Sequence, residues 1–477
     1  MSTPKRILII NRGEIASRIA KACRELGHVA IGVWTDNEIQ AKHLEVCDEW
    51  IHLKGSSNQE TYLNIPGILE LCLKYKIDGV HPGYGFLSEN TEFSQTLVKN
   101  GITWIGPHPE AVRVMGDKAV SKEFAKKNGI PVVPGSIGAV PTIEEAIKIA
   151  DQIKYPILLK AVAGGGGRGM RVCLNEQDIR NNFEAVQRES AAAFKCGDLL
   201  VEKYIMNPHH IEVQILADKK GNVFHFFERE CSIQRRHQKI IEEAPSPFIG
   251  EDEALRQKVC TTAVRLAKAI NYDSAGTVEL VMGEDKEFYF LEMNTRIQVE
   301  HPITEEITGI DLIVCMIQSA FGEDLNIPNQ EWIKRTGHAI ECRICAEDPI
   351  TMLPAPGVVT GCETNFPQGI RFDNCLYKGL VVTPDFDPMV GKLVAKGIIR
   401  SVAIRKMKAA LDGLLLEGLK TNIPLHKVIM NEESFIKGQY STAYIGLIRP
   451  QDKVNTEMDY TAIYKKIAGI EARRMGI

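Results

Sequence analysis

Long apolar runs, internal repeats and a strong net charge are all missing from this sequence of 477 residues. A formal net charge of -4 argues against a general nucleic-acid or anionic-membrane partner. The apolar run Ile7–Ile10 is too short for a signal-peptide core or a membrane span. The twelve cysteines are scattered, which is typical of reduced thiols rather than of a disulfide framework. We therefore expect a cytoplasmic protein with neither a membrane nor a nucleic-acid partner.

What is present indicates a multidomain α/β protein. Apolar residues make up 44% of the chain and charged residues 25%, as in ordinary globular proteins. The length suggests roughly three domains of about 150 residues each. Near the start, strand-like Ile7–Ile10 is followed by helical Glu14–Leu26, and continued alternation of this kind implies a parallel sheet. We place domains at residues 1–115, 116–330 and 331–447, followed by a polar tail at 448–477.

Two glutamates are predicted to face each other across a hairpin. Glu279 and Glu292 lie in apolar strand-like segments separated by the turn-like stretch 283–287. A tight turn centred on Asp285 and Lys286 pairs the two glutamates, and strand alternation places Asn294 on the same face. Opposed like charges destabilise a sheet, and a divalent metal removes the repulsion. The pattern predicts a metal–nucleotide site, whereas the alternative is an exposed hairpin with incidental acids.

A glycine run lies between two further predicted strands. Residues 164–167 are all glycine and Gly169 follows shortly after, so backbone N–H groups are free to surround phosphate oxygens. No Gly-Lys-Ser/Thr sequence follows, which excludes a Walker loop. Lys160, at the end of the preceding strand, is placed to meet phosphate charge. The alternative interpretation is a flexible surface hairpin.

The nine residues Glu292–Glu300 contain carboxylate, arginine and amide side chains close together in the sequence. Arg296 offers a planar fork that matches a carboxylate-like anion. Glu300 near that anion can act as a base if its pKa is tuned toward neutrality. His301 precedes Pro302 and is interpreted as a structural histidine.

These segments together resemble biotin carboxylase, the ATP-grasp component of biotin-dependent carboxylases. The resemblance covers about residues 5–447 and is carried by motifs in the family's order. They are Asn11–Ala16, His81–Asn90, Met115–Lys118, Gly164–Met170, Cys231–Lys239, Glu292–His301 and Glu341–Arg343. The family's glycine loop usually carries one more glycine, where this chain has Ala163.

The resemblance implies a fold and a reaction. The expected fold is of α/β and α+β class. It comprises a Rossmann-like pre-ATP-grasp domain (1–115), an ATP-grasp domain (116–330) with a lid at about 133–203, and a C-terminal mixed α/β domain (331–447). The implied enzyme is an ATP-dependent ligase that uses Mg²⁺ or Mn²⁺. ATP and bicarbonate give carboxyphosphate, which carboxylates biotin carried by another protein.

The resemblance also implies a role for each site residue. Implied ATP-binding residues are Lys118, Lys160, Gly165, Gly166, Gly167, Met170, Glu202, Lys203, Ile205, His210, Gln234, His237 and Val281. Glu279, Glu292 and Asn294 hold metal, and Lys239, Arg296, Gln298 and Val299 hold bicarbonate. Glu300 is the catalytic base, with Lys239, Arg296 and Arg343 as the other catalytic residues. Tyr84 and Arg343 contact biotin.

The expected partners are a biotin carboxyl carrier protein and a carboxyltransferase subunit. We find neither a biotin-attachment sequence nor a carboxyltransferase segment, so we expect one subunit of a larger enzyme. The acceptor stays open: acetyl-CoA, with a role in fatty acid biosynthesis, comes first, other acyl-CoA is possible, and pyruvate or another 2-oxo acid is the alternative. An ATP-grasp ligase that does not use biotin is the alternative of another class. It has little reason to keep Arg343 and the His81–Asn90 segment.

A homodimer is expected, held more weakly than is usual in the family. Relatives often use an arginine–glutamate pair on the first helix and a phenylalanine before a Gly-x-Arg. Here the helix offers Lys21 and Glu25, and Gln368 precedes Gly369-Ile370-Arg371. Lysine lacks the bidentate fork of arginine, and glutamine buries less apolar surface than phenylalanine.

Overall fold

A computed structural model describes residues 3–36, 38, 40–136, 138–161, 170–194, 197–235 and 238–454. Among these residues, none of the helices combines the length and the apolar character needed to cross a lipid bilayer. The glycine run, His237 and the tail beyond residue 454 lie outside the described residues.

The N-terminal part forms a parallel five-stranded sheet in the order β3-β2-β1-β4-β5. Its strands are β1 (Arg6–Ile9), β2 (Val29–Trp34), β3 (Glu49–His52), β4 (Gly79–His81) and β5 (Thr103–Trp104). Helices α1 (Gly13–Glu25), α2 (Ile65–Lys74) and α3 (Thr91–Lys99) and a 3-10 helix (Lys42–Glu45) connect them, and α4 (Pro109–Gly116) follows β5. The predicted alternation is confirmed, and β1 and α1 begin within one residue of their predicted starts.

A smaller antiparallel sheet follows, in the order β7-β6-β8. Its strands are β6 (Ile157–Ala161), β7 (Met170–Cys173) and β8 (Leu199–Lys203), and helices α6 (Ile143–Ile153) and α7 (Glu176–Phe194) pack against them. Helix α5 (Lys118–Lys127) precedes these elements and packs against α4. The sequence Thr142-Ile143-Glu144-Glu145 is a capping box and predicts the start of a helix. Thr142 caps α6 by accepting the Glu145 backbone N–H at 3.2 Å, which confirms that start. The buried side chains of Ile157, Leu159 and Val201 form a core for these elements.

One eight-stranded sheet dominates the rest of the molecule, in the order β13-β12-β9-β10-β11-β14-β19-β17. Its strands are β9 (His209–Ala217), β10 (Val223–Arg235), β11 (Gln238–Ala244), β12 (Ala275–Met282), β13 (Phe288–Asn294), β14 (His338–Cys345), β17 (Ile370–Asn374) and β19 (Met389–Gly397). Helices α8 (Glu253–Ala269), α9 (His301–Thr308) and α10 (Leu312–Ala320) and a 3-10 helix (Gln330–Trp332) accompany them. Because β14 pairs with β11, the sheet continues across the boundary predicted near residue 331.

The remaining C-terminal elements pack around that sheet. They are β15 (Gly357–Val358), β16 (Gly361–Thr364), β18 (Val381–Val382), α11 (Arg400–Gly413), β20 (Leu414–Glu417), α12 (Ile423–Asn431), α13 (Glu433–Ile436), α14 (Tyr444–Ile448) and α15 (Pro450–Lys453). The sequence predicts a closing helix at residues 402–415. That prediction is wrong at the end of the helix, because Leu414 and Leu415 pair with β16. Gly413 permits this change, since a Cβ there would lie 2.1 Å from the Asn365 carbonyl oxygen.

Candidate active site

Three carboxylates form a row across β9, β12 and β13. Glu212 lies opposite Glu279, and Glu279 lies opposite Glu292, which confirms the predicted pairing of the last two. The predicted two-residue turn is wrong, because Met282 pairs with Phe288 and leaves five residues in the loop. A register shift beside Glu279 compensates for the longer loop and keeps both glutamates on one face.

The expected repulsion within this row is offset by cations. Nζ of Lys239 lies 2.5 Å from Glu212, 2.9 Å from Glu279 and 2.6 Å from Glu300. Nε2 of His210 is 2.9 Å from Glu279. Burial alone would raise the pKa of Glu279, but Lys239 and His210 outweigh burial and hold that pKa below its usual value. The carboxylates are therefore stabilised by protein charge as well as being available to a metal.

The predicted metal ligands supply hard oxygen atoms at the open end of the row. The Glu292 side chain is 40% exposed, and the nearest cation among the described residues is Lys118 at 3.7 Å. Asn294 donates to Glu279 at 2.8 Å and accepts from Arg296 at 2.8 Å, so it links the row to the guanidinium. Carboxylates with one exposed member fit Mg²⁺, which prefers one or two carboxylates plus substrate phosphates.

Glu300 is buried between two cations from different strands. It accepts from Lys239 on β11 at 2.6 Å and from Nη2 of Arg343 on β14 at 2.9 Å. Burial would raise the pKa of Glu300, but Lys239, Arg343 and Arg229 lower it well below its ordinary value. The condition set for Glu300 as a base, a pKa tuned toward neutrality, is therefore not met in this arrangement, because three cations lower the pKa of the carboxyl group.

The residues before Glu300 are held in fixed orientations. Nε of Arg296 is 2.9 Å from Glu89. Gln298 donates to Glu279 at 2.6 Å and accepts from Arg229 at 2.9 Å. The Val299 carbonyl accepts from Lys392 at 2.9 Å. These contacts bring the predicted anion-binding side chains to the wall that carries Glu300.

A cleft of about 1020 Å³ contains many of the predicted nucleotide residues. Its described walls include Lys118, Lys160, His210, Gln234 and Val281, together with Lys239, Glu279, Glu292, Asn294, Arg296, Gln298, Val299, Glu300 and Arg343. Met170, Glu202, Lys203 and Ile205 are not among the described lining residues. Glu202 lies 2.6 Å from Lys160, whereas Lys203 donates to the Lys154 and Tyr155 carbonyls. Gly165, Gly166, Gly167 and His237 lie outside the described residues.

A second cavity of about 350 Å³ adjoins the cleft. Tyr84 and Arg343 line it, and the Tyr84 hydroxyl donates to Glu14. The two cavities share Gln238, Val299, Arg343 and Asp387 as lining residues. The arrangement can therefore bring together two ligands, one in each cavity, at the wall that holds Glu300 and Arg343.

Several buried charged residues of the site were missed by the sequence interpretation. They are Glu14, Glu212, Arg229, Glu242 and Lys392. The signal for Glu212 was present, because His210–Ile215 alternates polar and apolar residues and therefore gives that strand one polar face. Only the structure shows that this polar face is buried against Arg229, whose Nε lies 2.5 Å from Glu212.

Comparisons with known proteins match almost the whole chain. Protein-family models described as "Biotin carboxylase, N-terminal domain", "Carbamoyl-phosphate synthase L chain, ATP binding domain" and "Biotin carboxylase C-terminal domain" match residues 3–112, 117–328 and 341–446. A biotin carboxylase of Nostoc sp. is 46% identical over 92% of this chain and 98% of its own length.

Solved structures give the same result for the fold. The biotin carboxylase subunit of a pyruvate carboxylase has 45% identity and a TM-score of 0.88, covering 95% of this chain and 100% of that one. The biotin carboxylase domain dimer of Hydrogenobacter thermophilus 2-oxoglutarate carboxylase was solved with MgADP, ADP and bicarbonate. It has 45% identity and a TM-score of 0.83, covering 94% of this chain and 98% of that one. These matches confirm the ATP-grasp fold class predicted from the sequence.

Proposed function

Because this chain belongs to the biotin carboxylase family and is an ATP-dependent ligase, we propose that it carboxylates biotin attached to a separate carrier protein. The observation that carries the proposal is the wall shared by the two cavities. Arg343 lines both cavities and contacts Glu300 at 2.9 Å, so one wall serves a nucleotide-sized cleft and a smaller pocket. A ligase that joins ATP chemistry to a second substrate needs such a meeting point.

We assign the large cleft to ATP. Lys118, Lys160 and His210 are proposed to contact the phosphates, because each lines the cleft. The glycines 165–167 are proposed to cover those phosphates. The remaining proposed nucleotide contacts are Met170, Glu202, Lys203, Ile205, Gln234, His237 and Val281. Lys160 and Lys122 flank Glu202 at 2.6 and 3.7 Å, so phosphate binding competes with an existing ion pair.

We assign the shared wall to bicarbonate and biotin. Lys239, Arg296, Gln298 and Val299 are proposed to hold bicarbonate beside Glu300, which accepts its proton. An anion bound there draws positive charge away from Glu300, which raises the carboxylate's pKa toward that of a useful base. Arg343 is proposed to stabilise negative charge on the biotin oxygen, with Tyr84 beside the ring.

Glu279, Glu292 and Asn294 are the residues that would hold Mg²⁺. When bound, the ion neutralises charge on the transferring phosphoryl group. The chain's own part is to orient the phosphates through lysines and to keep the anion within reach of Glu300.

The reaction itself is the first test. Purified protein with MgATP and bicarbonate should release phosphate, and free biotin should stimulate the release. ATP hydrolysis that responds to neither bicarbonate nor biotin would overturn the proposal in favour of a different ATP-grasp ligase.

Glu292→Gln should raise the Mg²⁺ concentration needed for half-maximal activity by about tenfold, the equivalent of about 1.4 kcal/mol. The reason is the loss of a carboxylate ligand whose only described cation partner is Lys118. A Mg²⁺ titration of activity is the measurement. Glu287→Gln, in the loop of the same hairpin, is the matched control. Equal Mg²⁺ dependence of all three proteins would contradict the metal site.

The acceptor of the complete enzyme is chosen by other subunits. We propose acetyl-CoA as the acceptor, with carrier and carboxyltransferase subunits as partners. A 2-oxo acid is the second candidate, because relatives of equal identity include the 2-oxoglutarate and pyruvate enzymes.

Reconstitution should decide between these acceptors. The chain would be mixed with the carrier and carboxyltransferase proteins encoded in its own genome, with labelled bicarbonate and each acceptor in turn. We expect label to be fixed with acetyl-CoA. If label were fixed only with pyruvate or 2-oxoglutarate, the acceptor would be a 2-oxo acid and not acetyl-CoA.

We also propose a weak homodimer. Lys21 and Glu25 on α1 and Gln368 in the C-terminal part are exposed and available to a second copy. The absence of an aromatic side chain at an interface costs on the order of 1–3 kcal/mol of association free energy per contact. A two-fold symmetric dimer contains each contact twice, so the cost applies twice. Sedimentation velocity should show that the dimer dissociates on dilution. Gln368→Phe should reduce this dissociation. A parent that stays dimeric at the lowest measurable concentration would contradict weak association.

A further inference from the structure

Two buried carboxyl groups have no role in the reaction as assigned above. Glu242 on β11 lies directly opposite Glu341 on β14, and both are 0% exposed. One oxygen of Glu242 accepts from Nε of Arg343 at 2.6 Å. Its other oxygen and both oxygens of Glu341 have no hydrogen-bond partner within the part of the chain that the structure describes. Buried polar atoms without partners are costly, so three of them at one place require an explanation.

The cations around this pair are already engaged. Nζ of Lys392 contacts the Val299 carbonyl at 2.9 Å and Glu14 at 3.1 Å. Arg343 contacts Glu242 and Glu300. Among the described residues, the other charged or titratable groups that act on the pair include Lys239 (held by Glu212, Glu279 and Glu300), Tyr84 (hydrogen-bonded to Glu14), Cys231 and Cys342.

The charges therefore do not balance if every carboxyl is ionised. Among the described residues, Glu242 forms its ion pair with Arg343 alone, which it shares with Glu300, and Glu341 forms no ion pair. The nearby Lys392 and Lys239 are held by other carboxylates. Burial raises the pKa of Glu242 to about 7 despite Arg343. Burial also raises the pKa of Glu341 well above its ordinary value, and the charge of Glu242 adds to this effect.

We propose that Glu341 carries a proton, donates it to the free oxygen of Glu242, and thereby positions Arg343 for biotin. Cross-strand neighbours have Cβ atoms about 4.5–5.5 Å apart, which lets the two carboxyl groups meet. The shared proton leaves one negative charge on the pair, which the guanidinium neutralises. Loss of the proton adds a second negative charge, which draws the guanidinium toward the sheet and away from the biotin pocket. Glu341 is thus a positioning residue.

This inference rests on the proposed function, and it predicts how the KM for biotin changes with pH. In the parent, the KM for biotin should rise at alkaline pH, because Glu341 loses its proton there. The rise should reach about tenfold once Glu341 is fully ionised, which corresponds to about 1.4 kcal/mol for the positioning of Arg343. Glu341→Gln retains an N–H donor toward Glu242 and has no proton to lose. Its KM for biotin should therefore stay flat over the same pH range.

Three more variants and one spectrum complete the test. Glu341→Leu offers no donor and should raise the KM for biotin at every pH, with the KM for ATP unchanged. Glu242→Gln should move the rise in KM to lower pH, because the charge of Glu242 raises the pKa of Glu341. Glu433→Gln, at an exposed position of α13, is the matched control. If a variant fails to fold, difference infrared spectra of the parent should still show a protonated carboxyl stretch that disappears at alkaline pH.

The outcomes separate the two proposals. A parent without biotin-stimulated turnover overturns the proposed function. A parent that turns over biotin overturns only the present inference if Glu341→Gln keeps the parental rise in KM at alkaline pH. A parent spectrum without a buried protonated carboxyl overturns it as well.

Discussion

Glu300→Gln should lower kcat by about 10²–10⁴-fold, the usual contribution of a positioned general base. The amide is nearly isosteric but cannot accept the proton of bicarbonate. Nucleotide affinity should stay close to that of the parent, because Lys118 and Lys160 line the cleft without contacting Glu300. Steady-state kinetics with MgATP, bicarbonate and free biotin, together with an ADP-binding titration, would measure both quantities.

The matched control is Glu306→Gln, which removes a carboxylate from α9, the helix that begins directly after Glu300. Glu306 is partly exposed and its nearest described cation is Arg371 at 3.9 Å. The control should retain parental kcat. If Glu300→Gln also kept parental kcat, Glu300 would not be the base, and a loss of ADP binding equal to the loss of kcat would indicate a structural defect.

Arg343→Met should abolish biotin stimulation and destabilise the protein. Its guanidinium bridges Glu242 at 2.6 Å and Glu300 at 2.9 Å, and both carboxyl groups are buried. Removing one partner of a buried ion pair typically costs about 3–5 kcal/mol, because the remaining charge stays buried and unpaired. The thermal midpoint should therefore fall together with the biotin response, whereas biotin-independent ATP cleavage should fall less.

Arg343→Lys and Arg405→Met are informative comparisons. Lysine keeps the charge but cannot reach two carboxylates as a planar fork, so it should recover stability better than biotin turnover. Arg405 is exposed on α11, and its loss should change neither property. A parental biotin response in Arg343→Met would exclude the assigned role, and an unchanged thermal midpoint would show that the bridge is energetically unimportant.

Local patterns in the sequence determined the elements and one half of the metal site. The starts of β1 and α1, the Thr142 cap and the pairing of Glu279 with Glu292 all follow from features within about fifteen residues of chain, such as alternation and capping. The roles of the other site residues came from resemblance to a family. Neither source indicated that Leu414 leaves α11 for a strand, because that change depends on pairing with β16.

The tertiary structure alone decided which charges meet. Lys239 and Glu300 are 61 residues apart, Arg343 and Glu300 are 43 apart, and Glu242 and Arg343 are 101 apart. These contacts depend on the register of β11 against β14 and on the burial of that sheet face, which periodicity does not specify. That is why the sequence left a pKa near neutrality only as a condition for Glu300 to act as a base, whereas the structure shows three cations from distant strands that lower this pKa. The same long-range register sets Glu242 against Glu341, a pair that no local motif reveals.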